Sequence, residues 1–259
     1  MRLIIGGDSF LGKNLSSFWN QKNILHHATT RNKLLVQDNR PFLDLANLEN
    51  LDFKTTYTSA VMFAGYTRLQ ACEDDPLITR KINVEASYNI LKYLSSIGVF
   101  VLCLSSYQVF FGNKPFAETT DTKSPVNEYG KQKAELEDLV SNLDAAAILR
   151  FTKVINEEDD LLTSWLNKLE NNQPIKAFTD MSVSPVTLDE AISKIDSLLE
   201  NRVKGIHHCS GKEDISYFKF AQNFALEKGF SSELVKEDLV RSKGLNFHVP
   251  IYTTLSIEN

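Results

Sequence analysis

Short apolar runs alternate with amphipathic segments along the first 150 or so residues of the chain. Residues 3–5 (LII), 59–64 (SAVMFA), 99–104 (VFVLCL) and 145–150 (AAAILR) are continuously apolar or nearly so, which is typical of strands covered on both faces. Segments with helical spacing separate these runs. Because strands that alternate with helices form parallel sheets, the pattern predicts an α/β fold with a doubly wound parallel sheet and helices on both faces.

The helical segments are marked by apolar stripes and by start and stop residues. Leu11, Leu15, Phe18 and Trp19 fall on one face of a predicted first helix. A long helix is expected from Pro76 to the stop at Gly98, and another over residues 127–141. Residues 24–31 and 34–36 are expected to form two further strands.

After about residue 151 the regular alternation weakens. Helices are predicted around residues 161–169, 188–199 and 217–228, with a short strand at residues 206–208. We therefore expect a first domain over residues 1–151 and a small C-terminal α/β annex over residues 152–259, with segments that can interleave.

Charge and composition narrow the classes of partner. The formal net charge of −5 offers no basic surface for a phosphate backbone, which argues against nucleic acid. No run approaches the ~18 apolar residues of a membrane span, and the N-terminus lacks a signal-peptide pattern. Three cysteines far apart in sequence fit a reducing compartment. The expected location is the cytoplasm, with no membrane contact.

The first strand leads into a glycine-rich turn. Gly6, Ser9 and Gly12 form the spacing G-x-x-S-x-x-G between the strand and the first helix. Gly6 would allow the sharp turn, Gly12 would allow the helix to pack closely, and a small residue at position 9 would admit a pyrophosphate to the helix N-terminus. The pattern predicts a dinucleotide-binding Rossmann-type turn, whose cofactor segment also includes Asp8, Phe10 and Leu11.

The end of the second strand bears on cofactor choice. An acidic residue there would bind the ribose 2′-hydroxyl of NAD, whereas an arginine accommodates the 2′-phosphate of NADP. Residues 27–32 (HATTRN) contain Arg31 and no carboxylate. NADP is the predicted cofactor, with NAD as the alternative.

A tyrosine and a lysine four residues apart open the helix at residues 127–141. This spacing places Tyr129 and Lys133 on one helical face, where an ammonium would lower the phenol pKa towards working pH and create a general acid/base. Ser105 and Ser106 end the apolar strand before it, at the edge where parallel sheets bind ligands. The pattern predicts Tyr129, Lys133 and one of these two serine hydroxyls as the catalytic groups.

Other chemistries find little support. The histidine pairs at residues 26–27 and 207–208 are adjacent on predicted strands and point to opposite faces, so no metal site is expected. No G-x-S-x-G nucleophile turn is present, which argues against a hydrolase.

The motifs, in this order, resemble the extended short-chain dehydrogenase/reductase family, and within it the dTDP-4-dehydrorhamnose reductase-like, sugar-nucleotide-binding branch. The similar segments are the glycine turn, Asp44-Leu45, AGYTR (64–68), Asn83-Val84, LSSYQVFFG (104–112), SPVNEYGKQK (124–133) and LRFTKV (149–154). The resemblance covers almost the whole chain.

The resemblance implies roles for individual residues. Tyr129 would donate the proton, Lys133 would also hold the nicotinamide ribose, and Ser106 would take the active-site Ser/Thr position, preceded by Ser105. Further cofactor contacts are implied for Asp44 and Leu45 beside the adenine, for Ala64, Gly65 and Tyr66 after the strand, for the helix residue Asn83, and for Phe151 and Thr152 near the nicotinamide.

Four positions depart from the branch. Ser9 replaces the middle glycine of the turn, and Tyr107-Gln108 and Phe111 stand where an aspartate, a tyrosine and a second aspartate are common.

The expected function is NAD(P)-dependent oxidation or reduction of a keto group on a nucleotide-linked sugar, as in carbohydrate biosynthesis. Two alternatives stay open, a sugar-nucleotide epimerase or dehydratase and a non-catalytic NAD(P)-binding regulatory subunit. A homodimer is a further expectation.

Overall fold

The structure is a computed structural model that describes residues 1–48, 56–156, 159–240, 248 and 250–257. Its strands are β1 (Arg2–Ile5), β2 (His26–Ala28), β3 (Ser59–Met62), β4 (Phe100–Ser106), β5 (Ala146–Phe151), β6 (Lys153–Ile155), β7 (Ile175–Phe178), β8 (Ser182–Val183), β9 (Pro185–Thr187), β10 (Gly205–Cys209), β11 (Ile215–Ser216) and β12 (Val235–Asp238). Its helices are α1 (Phe10–Gln21), α2 (Leu69–Asp74), α3 (Pro76–Arg80), α4 (Ser87–Ser96), α5 (Glu128–Val140), α6 (Asp160–Glu170), α7 (Leu188–Asn201) and α8 (Tyr217–Glu227).

Six strands form one parallel sheet in the order β10-β5-β4-β3-β1-β2. The chain runs outward from β1 to β2 and then returns to the other side of β1 to add β3. The sheet therefore reverses its winding between β1 and β3, and ligands of such sheets bind beyond the carboxyl ends of the strands at that point. The predicted Rossmann-type, doubly wound parallel sheet is confirmed.

Each face of the sheet is covered by helices and has its own apolar core. Ile4 points to the face where Leu15 and Trp19 of α1 and Ile195 of α7 pack. Leu3 and Ile5 point to the opposite face, which α4 and α5 cover. The buried side chains of these two helices are Ile90, Leu91, Leu94, Leu136 and Val140. The alternation along β1 follows from the two-residue repeat of a strand and explains why a strand buried on both faces is apolar throughout.

The long helix expected from Pro76 is continuous but not uniform. It begins as α3, widens into a π-helical turn over Lys81–Ala86, and continues as α4 before Gly98 ends it at a φ of 84°. π-helical turns are rare and often lie at functional sites. Here the turn contains Asn83, which faces the loop after β3.

The part of the chain after residue 151 contributes to two cores. Residues of α6, α8, β7 and β12 form a separate small core around Trp165, Phe220 and Phe224. In contrast, α7 packs on the large sheet, and β10 pairs with β5 to complete it. The segments interleave, and a division at residue 151 stays a prediction.

The strand expected at residues 34–36 is wrong. Lys33–Leu35 forms a single 3₁₀ turn, and Leu34 is 93% exposed. Three apolar residues in a row do not make a strand when no sheet or helix lies over them. In the described residues, no helix has the length and apolar character that crossing a bilayer requires.

Candidate active site

The turn after β1 passes very close to the loop after β3. Gly6 has a φ of 90°, and a Cβ on it would lie 2.6 Å from the backbone nitrogen of Ala64. A Cβ on Gly12 would lie 2.4 Å from the carbonyl oxygen of Gly6, so α1 sits directly against the turn. Both positions exclude any side chain, as the motif predicted.

Ser9 is the N-cap of α1 and does not obstruct the turn. Its hydroxyl donates to the Gly6 carbonyl at 2.7 Å and accepts from the Gly12 amide at 3.1 Å. The side chain is thus used inside the turn. The amides of Phe10 and Leu11, the first two residues of the helix, have no carbonyl partner within it. The replacement of the middle glycine therefore leaves an anion-binding helix N-terminus intact.

A cleft of about 330 Å³ opens at the point where the winding of the sheet reverses. It is lined by nine of the predicted cofactor residues: Gly6, Asp8, Ser9, Arg31, Asp44, Leu45, Ala64, Gly65 and Tyr66. Residues that the motifs did not identify complete the lining: Ile5, Thr29, Leu43, Ala46, Phe63 and Ile82. Among these, Thr29 accepts a hydrogen bond from the Gly6 amide at 3.0 Å and so fixes the turn.

Asn83 lies behind the cleft and holds its wall. Its Oδ1 accepts from the Tyr66 amide at 2.7 Å, and its Nδ2 donates to the Tyr66 carbonyl at 2.9 Å. The same Nδ2 donates to Gln132 of α5 at 2.8 Å. Asn83 therefore ties the loop after β3 to the helix that carries Tyr129, and its amide groups are used within the protein.

The N-terminus of α5 is docked against the end of β4. Asn127 caps the helix by accepting from the Gly130 amide at 2.8 Å and donates to the Gln108 side chain at 2.8 Å. Lys133 Nζ donates to the Leu104 carbonyl at 2.9 Å and lies 5.8 Å from the centre of the Tyr129 ring. The structure thus brings the Tyr129–Lys133 pair to the strand end that carries Ser106.

The two serines at the end of β4 are both buried. Ser106 Oγ accepts from the Gln108 amide at 3.2 Å, so its own hydrogen can be donated to a ligand. Ser105 Oγ is buried and has no hydrogen-bond partner in the described part of the chain. Burial of a hydroxyl without a hydrogen-bond partner costs folding free energy, and in native proteins such groups are often part of a functional site.

The pKa of Tyr129 differs from the expectation that Lys133 would bring it towards working pH. Burial raises the pKa of Tyr129 above its ordinary value, and the nearby Lys133 ammonium offsets this only in part. The expectation of a lowered pKa is therefore wrong, because the cost of removing the phenolate from water outweighs the attraction of one cation. The phenol is neutral and ready to donate a proton.

The altered segment after Ser106 forms part of the same site. Gln108 Nε2 donates to the Tyr107 phenol oxygen at 2.9 Å, which leaves the Tyr107 hydrogen available. Burial raises the pKa of Tyr107, with smaller contributions from Tyr217, Tyr129 and Asp214. Tyr107 thus presents a neutral hydrogen-bond donor directly after Ser106.

Phe151 is the last residue of β5, and Thr152 follows it. The Phe151 side chain belongs to the core on the α1–α7 face, and Thr152 Oγ1 accepts from the Gly211 amide at 3.3 Å. Both side chains therefore make contacts within the protein, Phe151 by packing and Thr152 by a hydrogen bond. Across the described residues, no cluster of three or more His, Cys, Asp or Glu side chains is arranged to hold a metal ion.

Comparison with known proteins finds one matching family and several similar structures. The sequence matches the RmlD substrate binding domain family over residues 1–257. The structure of a hypothetical dTDP-4-dehydrorhamnose reductase from Sulfolobus tokodaii is similar, with a TM-score of 0.85 and 28% identity over 99% of this chain and 92% of that one. The dTDP-4-dehydrorhamnose reductase of Bacillus anthracis in complex with NADP has a TM-score of 0.87 and 20% identity, over 99% of this chain and 90% of that one.

A different protein is found among curated sequences. Methionine adenosyltransferase 2 subunit beta of Bos taurus is 30% identical over 170 residues, which cover 61% of this chain and 51% of that protein. The chain thus spans about half the length of the curated relatives it matches.

Proposed function

Since the chain belongs to the RmlD substrate binding domain family, we propose that it is an NADP-dependent oxidoreductase that reduces the keto group of a nucleotide-linked sugar. The observation that carries this proposal is the docking of Tyr129 and Lys133 against the strand end of Ser106, in a sheet whose winding reverses at an adjoining cleft. A cytoplasmic location and a homodimer stay predictions from the sequence.

The residues of the cleft fit a dinucleotide. Gly6 permits the close approach of the turn, and the free amides of Phe10 and Leu11 would hold the pyrophosphate. Asp44 and Leu45 would border the adenine, Arg31 would face the 2′-phosphate, and Lys133 would bind the nicotinamide ribose. The bound cofactor would supply the hydride.

The protein's own residues would manage the oxygen of the substrate carbonyl. Ser106 would donate its free hydrogen to that oxygen and polarise the bond. Tyr129 would transfer its phenolic proton to the same oxygen as the carbonyl is reduced. Lys133 would stabilise the phenolate left behind, which burial otherwise disfavours.

Replacement of Lys133 by methionine is expected to impair both turnover and NADP affinity. The substitution keeps the length of the stem but removes the ammonium that approaches Leu104 and Tyr129. We expect turnover to fall by about 10²-fold and the dissociation constant of NADP to rise by about tenfold. Calorimetric titration and steady-state kinetics measure the two effects. A variant with unchanged affinity would contradict the assignment of Lys133 to the ribose.

Replacement of Arg31 by alanine is expected to weaken NADP selectively. Arg31 is exposed and lines the cleft near the end of β2. Loss of a charge-assisted contact to the 2′-phosphate should raise the NADP dissociation constant by about tenfold and leave that of NAD almost unchanged. Titration with each cofactor tests this. Equal affinities of the unmodified protein for NADP and NAD would overturn the assignment.

A second function is favoured by one comparison. The similarity to methionine adenosyltransferase 2 subunit beta, together with the altered residues Tyr107, Gln108 and Phe111, supports a role as a non-catalytic subunit that binds the cofactor. The two functions differ in one measurable property. The reductase consumes NADPH when a nucleotide-linked keto-sugar is added, whereas the subunit binds NADPH without consuming it.

A further inference from the structure

The carboxylate of Asp8 lies within the glycine turn, at the mouth of the cleft. It accepts from the Thr30 hydroxyl at 2.7 Å and from the Arg31 amide at 3.4 Å, and it pairs with Arg40 Nη2 at 2.5 Å. Partial burial raises the pKa of Asp8, but the Thr30 hydrogen bond and the Arg40 guanidinium outweigh it and hold the pKa below its usual range. Asp8 is therefore ionised at neutral pH and connects the turn to the segment after β2.

Backbone hydrogen bonds hold Arg40 in place, while one donor atom of its side chain makes no hydrogen bond within the described residues. Its amide donates to the Gln37 carbonyl at 2.9 Å, and the Gln37 amide donates back at 3.2 Å, which closes a tight turn. The neighbouring Asn39 carbonyl accepts from Ala28 of β2 at 3.0 Å, which fixes this turn to the sheet. Arg40 Nε is buried and has no hydrogen-bond partner within the described chain. A guanidinium has five donors, so Arg40 has donors to spare for a ligand.

The Arg40 guanidinium and the Asp8 carboxylate thus meet at the end of the cleft where the adenosine ribose would lie. The backbone amide of Arg31 and the side chain of Arg40 both donate hydrogen bonds to the Asp8 carboxylate. A carboxylate favours a ribose 2′-hydroxyl, and an arginine favours a 2′-phosphate. The pair consists of one carboxylate and one guanidinium and so combines both preferences.

We infer that the Asp8–Arg40 pair is a selector between NADP and NAD that adds to Arg31. Asp8 lines the cleft and holds the Arg40 guanidinium beside it, and a 2′-phosphate draws the guanidinium away from Asp8. A 2′-hydroxyl instead donates to Asp8 and leaves the pair intact. This inference rests on the proposed function, because it concerns the cofactor of that same site.

The test is a set of dissociation constants for NADP and NAD, measured by calorimetric titration of the purified protein. For Arg40→Gln, the NADP constant is expected to rise by about tenfold or more, since a charge-assisted contact is lost and Asp8 is left facing the phosphate. The NAD constant should change by less than about threefold. For Asp8→Asn, the preference should shift the other way, towards NADP, because a like charge is removed from the phosphate.

Further variants separate selection from structure. The double variant Asp8→Asn/Arg40→Gln should recover part of the NADP affinity lost in Arg40→Gln alone, and Arg40→Lys should keep part of the preference. Arg80→Gln, which removes the same charge from a pair with Glu85 and Glu135, should leave the ratio unchanged. Melting temperatures without cofactor check that each variant is folded.

The outcomes are distinguishable. If the unmodified protein binds both cofactors and Arg40→Gln leaves the ratio of the two constants within about twofold, the inference is overturned and the proposed function stands. If the folded unmodified protein binds neither cofactor, both are overturned.

Discussion

Replacement of Tyr129 by phenylalanine is expected to lower turnover by about 10²-fold or more, the range typical of a lost general acid. The substitution removes one oxygen and keeps the ring, so packing against the end of β4 is preserved. NADP affinity should barely change, because the phenol contributes little to holding the dinucleotide. The measurement is the rate of NADPH consumption with a nucleotide-linked keto-sugar, beside the NADP dissociation constant.

A matched control variant and the pH dependence of the reduction rate test the same role of Tyr129. Tyr88→Phe removes the same atom from α4, in the core on the α4–α5 face, and should leave turnover unchanged. Because burial raises the pKa of Tyr129, the phenol stays protonated, and the rate of reduction should be flat between about pH 6 and pH 9. Full turnover by Tyr129→Phe would refute the role of this residue as the proton donor.

Replacement of Arg150 by methionine is expected to lower the free energy of unfolding by about 3–5 kcal/mol. Arg150 and Glu137 are each 1% exposed and form two hydrogen bonds, of 2.9 and 2.7 Å, between β5 and α5. The methionine fills much of the volume but leaves the Glu137 carboxylate buried without its main partner. Urea denaturation of the two proteins measures the difference.

The controls for this prediction are an exposed ion pair between α3 and α5 and a double variant of the buried pair itself. Arg80→Met breaks the pair with Glu135, but both side chains are about 40% exposed, so the cost should stay below about 1 kcal/mol. The double variant Arg150→Met/Glu137→Leu should recover most of the stability, because no unpaired charge remains. If Arg150→Met and Arg80→Met lowered the free energy of unfolding equally, burial would not increase the cost of breaking this ion pair, and the prediction would be wrong.

The sequence was most informative where a single local pattern determines the structure. The apolar runs of β1, β3, β4 and β5 are continuous because both faces of these strands are covered, and the structure confirms them. The glycine turn was equally readable, since the sharp turn at Gly6 and the close contact at Gly12 exclude side chains. The run at residues 34–36 was misread because an apolar segment in an exposed loop looks like a short strand.

Contacts between distant residues could not be predicted in this way. Arg40 reaches Asp8 across 32 positions, and neither residue belongs to a periodic pattern. Arg150 and Glu137 look like surface charges in the sequence, and only the docking of α5 on β5 shows them as a buried pair. The raised pKa of Tyr129 likewise depends on burial, which the spacing of Tyr129 and Lys133 does not contain.

The central claim is that the site at the end of β4 transfers a hydride to a nucleotide-linked keto-sugar with Tyr129 as the proton donor. The most direct test uses NADPH deuterated at the transferred position of nicotinamide C4, followed by mass spectrometry of the sugar product. The account predicts deuterium on the former carbonyl carbon of the sugar, formed by the unmodified protein and about 10²-fold more slowly by Tyr129→Phe. Tight binding of NADPH with no label transferred to any of a broad panel of nucleotide-linked keto-sugars would contradict it.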